Sequence, residues 1–374
     1  MDNNFCKELE KIFNTPAPVI KKELLEREII LYGAGSLGNM AVELLIKKGI
    51  NPKYIADKSI DGNIKNIKIV KPDEINSYDK ENALFLICVS TLPYNEIENY
   101  LKALQCNNIM HFYTWAYLIM PELLKNGWFI TNLLTKDKEN IEEICRTLSH
   151  DDISLSHYLQ FLWWKICRKE VIYSPVLSGK KYFNSTCFPF LNKNEVLLDG
   201  GTHFGQTVEE FIKFTNNEFK RIYSFEPDIY NLQTAKKHFK DDRLFFSSKA
   251  LYDKNETVGF INNLGFASKI DTAGDTKIEA VRIDDLDIEP PTIIKLHIEG
   301  DELKALNGAV KTISKHHPIL MVLADHNEDG LWRIPFFIES IGDYHLYFYL
   351  HDYCGNTAVY YAIPKWRKNY VKDT

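Results

Sequence analysis

Two stretches of this chain join an apolar run, closely spaced glycines and the start of a helical pattern. One is IILYGAGSLGNM, with Gly33, Gly35 and Gly38; the other is LLDGGTHFGQT, with Gly200, Gly201 and Gly205. A glycine turn between strand and helix lets backbone N–H groups and the helix N-terminus approach a polar ligand. The first stretch fits G-x-G-x-x-G, and Asp57 closes the next apolar run, where an acid accepts from a ribose diol. That pattern suits a nucleotide, and it also occurs as a plain structural turn. The second stretch differs in the acid that leads it, Asp199. A carboxylate at a strand tip disfavours a pyrophosphate and suits a cationic or hydroxyl-rich ligand. S-adenosylmethionine, with its sulfonium, ammonium and ribose, has that chemistry. Glu226, followed by Pro227, ends the next apolar run and suits the ribose hydroxyls.

Alternating strands and helices must hold these loops. EIILY, PKYIAD and ALFLICVS read as buried strands separated by helical patterns, which implies a parallel sheet with covered faces. EVLLDG, KRIYSFEP, RLFFSSKAL, PTIIKLHIEG and PILMVLADH repeat that pattern, and YHLYFYL with NTAVYYAIP closes it as a hairpin. ETVGFIN and IEAVRIDDL read as shorter strands around the polar loop NNLGFASKIDTAGDT. DELKALNGAVKTISKH reads as one helix. The expected fold is α/β, with two Rossmann-like doubly wound domains, residues 1–115 and 181–374, joined by a helical connector, 116–180. PELLKNGWFITNLL, KENIEEICRTL and the aromatic HYLQFLWWKICRK form that connector, which is expected to pack the domains together or make a homodimer contact.

At 374 residues, two domains are the default, and 45% hydrophobic with 26% charged residues marks a globular protein. A net charge of −6 implies no broad basic face, which argues against nucleic acid as a partner. The seven cysteines stand singly with no C-x-x-C pair, which suggests reduced thiols. The N-terminal stretch has no basic-then-apolar signal, and no apolar run approaches the ~18 residues of a membrane span. A cytoplasmic location is expected.

LLDGGTHFGQT, SFEPD, KALYD, IKLHIEGDELKALNGA and the closing pattern DGLWRIPFFIES, YHLYFYL, AVYYAIP together resemble the FkbM family of S-adenosylmethionine-dependent methyltransferases, from about residue 181 to 364. Some members carry an N-terminal Rossmann-like domain and a helical connector as well. The resemblance implies a class I methyltransferase fold with an antiparallel final hairpin, S-adenosylmethionine as cofactor, and O-methylation of a sugar, glycan precursor or related metabolite. By position it puts Asp199, Gly200, Gly201, Thr202 and Gly205 at the methionine end of the cofactor. Glu226 and Pro227 fall at the ribose, and Ala250 and Leu251 near the adenine.

One position departs from the family. His297 stands where an Asp is usual, in a motif resembling I-D-x-E-G. Lys295, His297 and Glu299 are expected to alternate onto one strand face, with His297 and Glu299 at its carboxyl end. Methyl transfer to a hydroxyl needs in-line positioning and removal of a proton, and a His near its ordinary pKa of ~6.5 does the second at neutral pH. His326, between Asp325 and Asn327, follows the next strand and is a further catalytic candidate. The bland readings are a buried, hydrogen-bonded His297, or one marking lost activity, and a solvated loop His326. Two imidazoles and a carboxylate could ligate a metal, but no tight spacing such as H-E-x-x-H is present, and no metal is expected. His351 follows YHLYFYL, Trp332 reads as a core anchor, and KWRKNYVK reads as a solvated terminus. The competing functions are an NAD-dependent oxidoreductase using the Gly33 loop and a non-catalytic binding protein.

Overall fold

The computed structural model describes residues 4–16, 18–120, 133–179, 181–183, 188, 191–261, 269–270, 274, 276–327 and 329–367. Most of PELLKNGWFITNLL and of the polar loop NNLGFASKIDTAGDT falls outside them. The chain divides into two compact units, each discontinuous in sequence. Unit 1 comprises 1–125, 159–176 and 352–356; unit 2 comprises 126–158, 177–351 and 357–374. The stretch read as a connector is thus apportioned between the two.

Unit 1 is built on a six-stranded sheet of β1 (Ile29–Tyr32), β2 (Tyr54–Ala56), β3 (Asn63–Ile64), β4 (Ile67–Val70), β5 (Leu84–Ile87) and β6 (Asn108–His111). The order β3-β4-β2-β1-β5-β6 is parallel except for the β3 edge. β1 and β5 are buried throughout, as a strand covered on both faces must be. Helical residues 159–167 and the segment after them complete the unit. Trp163 Nε1 donates to Glu8 Oε1 at 3.0 Å, and the Trp164 ring meets His111 edge-on with centroids 4.9 Å apart. Glu170 accepts from the backbone N–H groups of Tyr94 and, at 3.1 Å, of Cys354. Phe161, Leu162, Trp163 and Trp164 are all buried within the chain.

Unit 2 holds a seven-stranded sheet and a smaller four-stranded one. The strands run β7 (Val196–Gly200), β8 (Arg221–Phe225), β9 (Leu244–Ser247), β10 (Ala250–Leu251), β11 (Glu256–Ile261), β12 (Lys269–Ile270), β13 (Thr276–Val281), β14 (Ile293–Leu296), β15 (Ile319–Leu323), β16 (Tyr344–Leu350) and β17 (Ala358–Pro364). The large sheet is ordered β16-β17-β15-β14-β7-β8-β9, with β17 antiparallel to both its neighbours. The final hairpin expected from YHLYFYL and NTAVYYAIP is present. RLFFSSKAL splits between the two sheets, because β10 leaves β9 to pair with β13. The single helix expected over DELKALNGAVKTISKH is two, Glu302–Asn307 and Val310–His316. The chain order reverses at β7 and β14, whose carboxyl ends therefore flank the crevice where open α/β sheets bind ligands. No helix among the described residues is long and apolar enough to cross a membrane.

Candidate active site

The cleft at that reversal is lined by Gly201 and His203 after β7, Phe225, Glu226 and Pro227 after β8, Ala250 and Leu251 of β10, and His297, Ile298 and Glu299 after β14. Asn231, Lys249, Phe260, Ile270 and Asp301 complete it. The small sheet supplies the apolar wall, with Phe260 packed in a cluster with Ala250, Ile278 and Ala280. Sequence reasoning placed Ala250 and Leu251 at the site and missed Phe260 and Ile270, because only the strand order β10-β13-β11-β12 brings them there.

Gly201 is where the loop must be glycine. Its φ is +75°, and a Cβ would lie 1.8 Å from the His297 carbonyl oxygen. The close approach sets the β7 loop directly against the turn that carries His297. Gly205, with φ +94°, caps the helix Gln206–Phe214. Glu226 faces the cleft while Oε2 accepts from His203 N at 2.8 Å and Oε1 from Asp228 N at 3.0 Å. Burial outweighs these bonds and pushes its pKa up to about 7.

Asp199 is not in the cleft lining. Its carboxylate is fully buried and held by Lys295 Nζ at 2.9 Å and by the Thr202 hydroxyl. Lys295 also donates to the carbonyls of Gly200 at 3.0 Å and Gly201 at 2.7 Å. The expectation that Asp199 meets a cationic ligand directly is corrected: the cation it meets is Lys295. The parallel register pairs Asp199 with Lys295 on neighbouring strands, so the two charges neutralise each other beneath the loop.

His297 and Glu299 do not alternate on a strand, because β14 ends at Leu296. Glu299 adopts φ +59°, and this left-handed residue swings its carboxylate back beside His297. Glu302, itself buried, fixes the turn by accepting from Ile298 N at 2.9 Å and Gly300 N at 3.1 Å, and from Asn327 Nδ2 at 2.8 Å. Three side chains converge as a result. His297 Nε2 lies 3.2 Å from Glu299 Oε1, and His326 Nδ1 lies 2.8 Å from Glu299 Oε2. The other ring nitrogen of His297, Nδ1, is 2.6 Å from the Tyr182 hydroxyl. Burial lowers the His297 pKa, keeping the ring neutral at pH 7. For His326 burial acts the same way, but the Glu299 and Asp325 carboxylates overcome it and push the pKa up to about 9. Burial likewise opposes the charge of Glu299, yet His326 and His297 hold its pKa down at about 2. His326 is thus a buried, ion-paired residue and not a solvated one.

The remaining candidates sit elsewhere. His351 is buried with Nε2 2.7 Å from the Tyr361 hydroxyl and Nδ1 3.0 Å from the Leu177 carbonyl oxygen, a packing role. Trp332 is buried, as a core anchor should be. Arg367 in the basic tail is not solvated: its guanidinium grips both oxygens of the buried Glu195 at 3.1 Å each. In unit 1, Asp57 turns inward to the glycine loop and its own turn, accepting from the N–H groups of Ala34 at 2.7 Å, Ser59 at 2.8 Å and Ile60 at 2.8 Å. Gly38 packs the helix onto the loop, where a Cβ would sit 2.0 Å from the Gly33 carbonyl oxygen. Gly33 and Gly35 belong to that same loop.

Glycine turn, second-strand acid and strand-end histidines thus meet at the switch point of a Rossmann-like sheet, the frame of a class I methyltransferase. Residues 199–356 match the model of the methyltransferase FkbM domain, so this part of the chain is similar to the FkbM methyltransferases. No curated protein matches it. Among solved structures, methyltransferase FkbM from Methylobacillus flagellatus KT is 19% identical, with 97% of this chain and 99% of that one covered at a TM-score of 0.68. That likeness extends the shared fold to both units. Precorrin-6y C5,15-methyltransferase from Geobacter metallireducens GS-15 is 14% identical over 52% of this chain and 94% of that one, with a TM-score of 0.32. Fibrillarin from Aeropyrum pernix, solved in complex with S-adenosyl-L-methionine, is 11% identical over 47% and 69%, with a TM-score of 0.31.

Proposed function

We propose that unit 2 is an S-adenosylmethionine-dependent O-methyltransferase acting on a hydroxyl of a small molecule, a sugar or a glycan precursor. The observation that carries this reading is one cleft holding a second-strand carboxylate, Glu226, and a proton-accepting cluster, His297 with Glu299. Glu226 would take the ribose hydroxyls, with Pro227 beside it, and Ala250 and Leu251 would flank the adenine. Gly201 leaves room for the methionine end, where Gly200, Thr202 and Gly205 shape the loop. Bound S-adenosylmethionine would supply a methyl group on a sulfonium, which moves to the acceptor oxygen as the C–S bond breaks and its electron pair stays on sulfur. The His297–Glu299 pair would take up the hydroxyl proton, while the Tyr182 hydroxyl holds the ring at Nδ1. Glu299 then stabilises the imidazolium, and His326 holds the far oxygen of Glu299 in place. Such a protein is expected in the cytoplasm, where the cofactor is made.

The test is thermal stability with S-adenosylhomocysteine. A rise of several degrees at millimolar ligand, lost in Glu226→Ala, is expected. Absence of a rise, or one that survives the substitution unchanged, would sink the reading.

A further inference from the structure

We propose that His297, Glu299 and His326 form a binding site for one divalent transition-metal ion, whose open side receives the acceptor hydroxyl. Its role toward the acceptor rests on the methyl-transfer reading, whereas the binding itself does not. Each residue offers one ligand atom, and the three atoms lie within 4.8 Å of one another. Glu299 lies between the two rings, with Oε1 3.2 Å from His297 Nε2 and Oε2 2.8 Å from His326 Nδ1, so both imidazoles face one carboxylate. Donors about 2.1 Å from a metal sit ~3.0 Å apart at right angles and ~3.4 Å apart in a tetrahedron.

The surroundings fit an ion as well. When Nδ1–H of His297 donates to the Tyr182 oxygen, the Nε2 lone pair points at the Glu299 carboxylate. Two electron-rich atoms so close ask for a cation between them, a proton or a metal ion. Tyr182 then does what an outer hydrogen bond does for a ligating His, fixing its tautomer and orientation. Asp325 Oδ2 stands 3.9 Å from His326 Nε2 and is itself anchored by Thr357 N. His297 and Glu299 both line the cleft, so an ion held by these three residues would face it, as in catalytic rather than structural sites. Two imidazoles with one carboxylate favour first-row transition ions over magnesium or calcium. With an ion there His297 would be a ligand instead of the proton acceptor: the ion would lower the pKa of the entering hydroxyl, whose proton would pass to solvent, leaving the oxygen lone pair to form the new C–O bond.

The test uses the full chain, stripped with a chelator and titrated with Co2+ alone. Visible d–d absorption and elemental analysis should report one ion per chain, unaffected by a large excess of Mg2+. His297→Ala and His326→Ala should each weaken binding at least tenfold, and Tyr182→Phe should weaken it with the ligands intact. His326→Gln replaces the alanine variant if that does not fold. Less than half an equivalent at millimolar Co2+, or unchanged binding in the folded variants, overturns the proposal. S-adenosylhomocysteine affinity is measured on the same samples. Binding of that ligand without cobalt overturns the metal site and leaves the methyl-transfer reading standing; cobalt without that ligand does the reverse.

Discussion

At the scale of single residues, Glu226 and Asp199 show how two acids at the ends of neighbouring strands are given different tasks. Asp199 is neutralised by Lys295 and serves the loop from below, while Glu226 faces the cleft and is pushed up to about 7 by burial. The pH dependence of binding follows from the second. Ribose hydroxyls donate to the ionised carboxylate, so binding favours the form that dominates above pH 7. Lowering the pH through that value protonates Glu226 and weakens the ligand by up to about tenfold per unit below that pKa. Titration calorimetry with S-adenosylhomocysteine at pH 6 and pH 8 should show the loss at the lower pH, and equal affinities would contradict it. Glu226 was legible in the sequence because it ends an apolar run before a proline. The fate of Asp199 was not, because its partner lies almost a hundred positions away and meets it only through the register of β7 with β14.

At the scale of elements, the turn after β14 decides the site. Strand alternation would have aimed Glu299 correctly only if β14 continued, and it stops at Leu296. Glutamate has no preference for the left-handed region, so Glu299 itself does not announce its conformation, although Gly300 beside it, at φ +113°, marks a turn. The turn exists because Glu302 collects its N–H groups from within the following helix. Glu302→Ala is therefore expected to release Glu299 from His326. The pKa of His326, raised to about 9 mainly by that carboxylate against its burial, should fall by at least ~1 unit toward its ordinary value. Nuclear magnetic resonance titration of the imidazole reads this, and Glu302→Gln, which keeps an acceptor, should recover part of the shift. An unmoved His326 would show that the turn stands without Glu302. The strands themselves were plain in the sequence, since a parallel sheet writes its members as continuous apolar runs. In the small sheet β11 and β13 were legible as well, but β10 and β12 are too short to carry a period.

At the scale of the whole molecule, the sequence pattern divides the chain at residue 115, whereas unit 1 needs residues from three separate stretches. Helical periodicity marks 159–167 as a helix but says nothing of which unit it completes. A fragment of residues 1–115 lacks the partners of Glu8, His111 and Tyr94. It is expected to lose at least ~2 kcal/mol, on the order of 10 °C in melting temperature for a domain of that size. Circular dichroism melts of the fragment and the full chain check this, and a fragment as stable as the full chain would refute it. The same discontinuity has a meaning during synthesis. Residues 352–356 lie between β16 and β17, near the end of the chain, yet Cys354 N caps Glu170 and Tyr353 N pairs with Ser90 O. At ~5–20 residues per second, the ribosome leaves unit 1 without that last piece for roughly ten to thirty-five seconds after residue 176 is made. Unit 1 is thus completed only after most of unit 2 has been made.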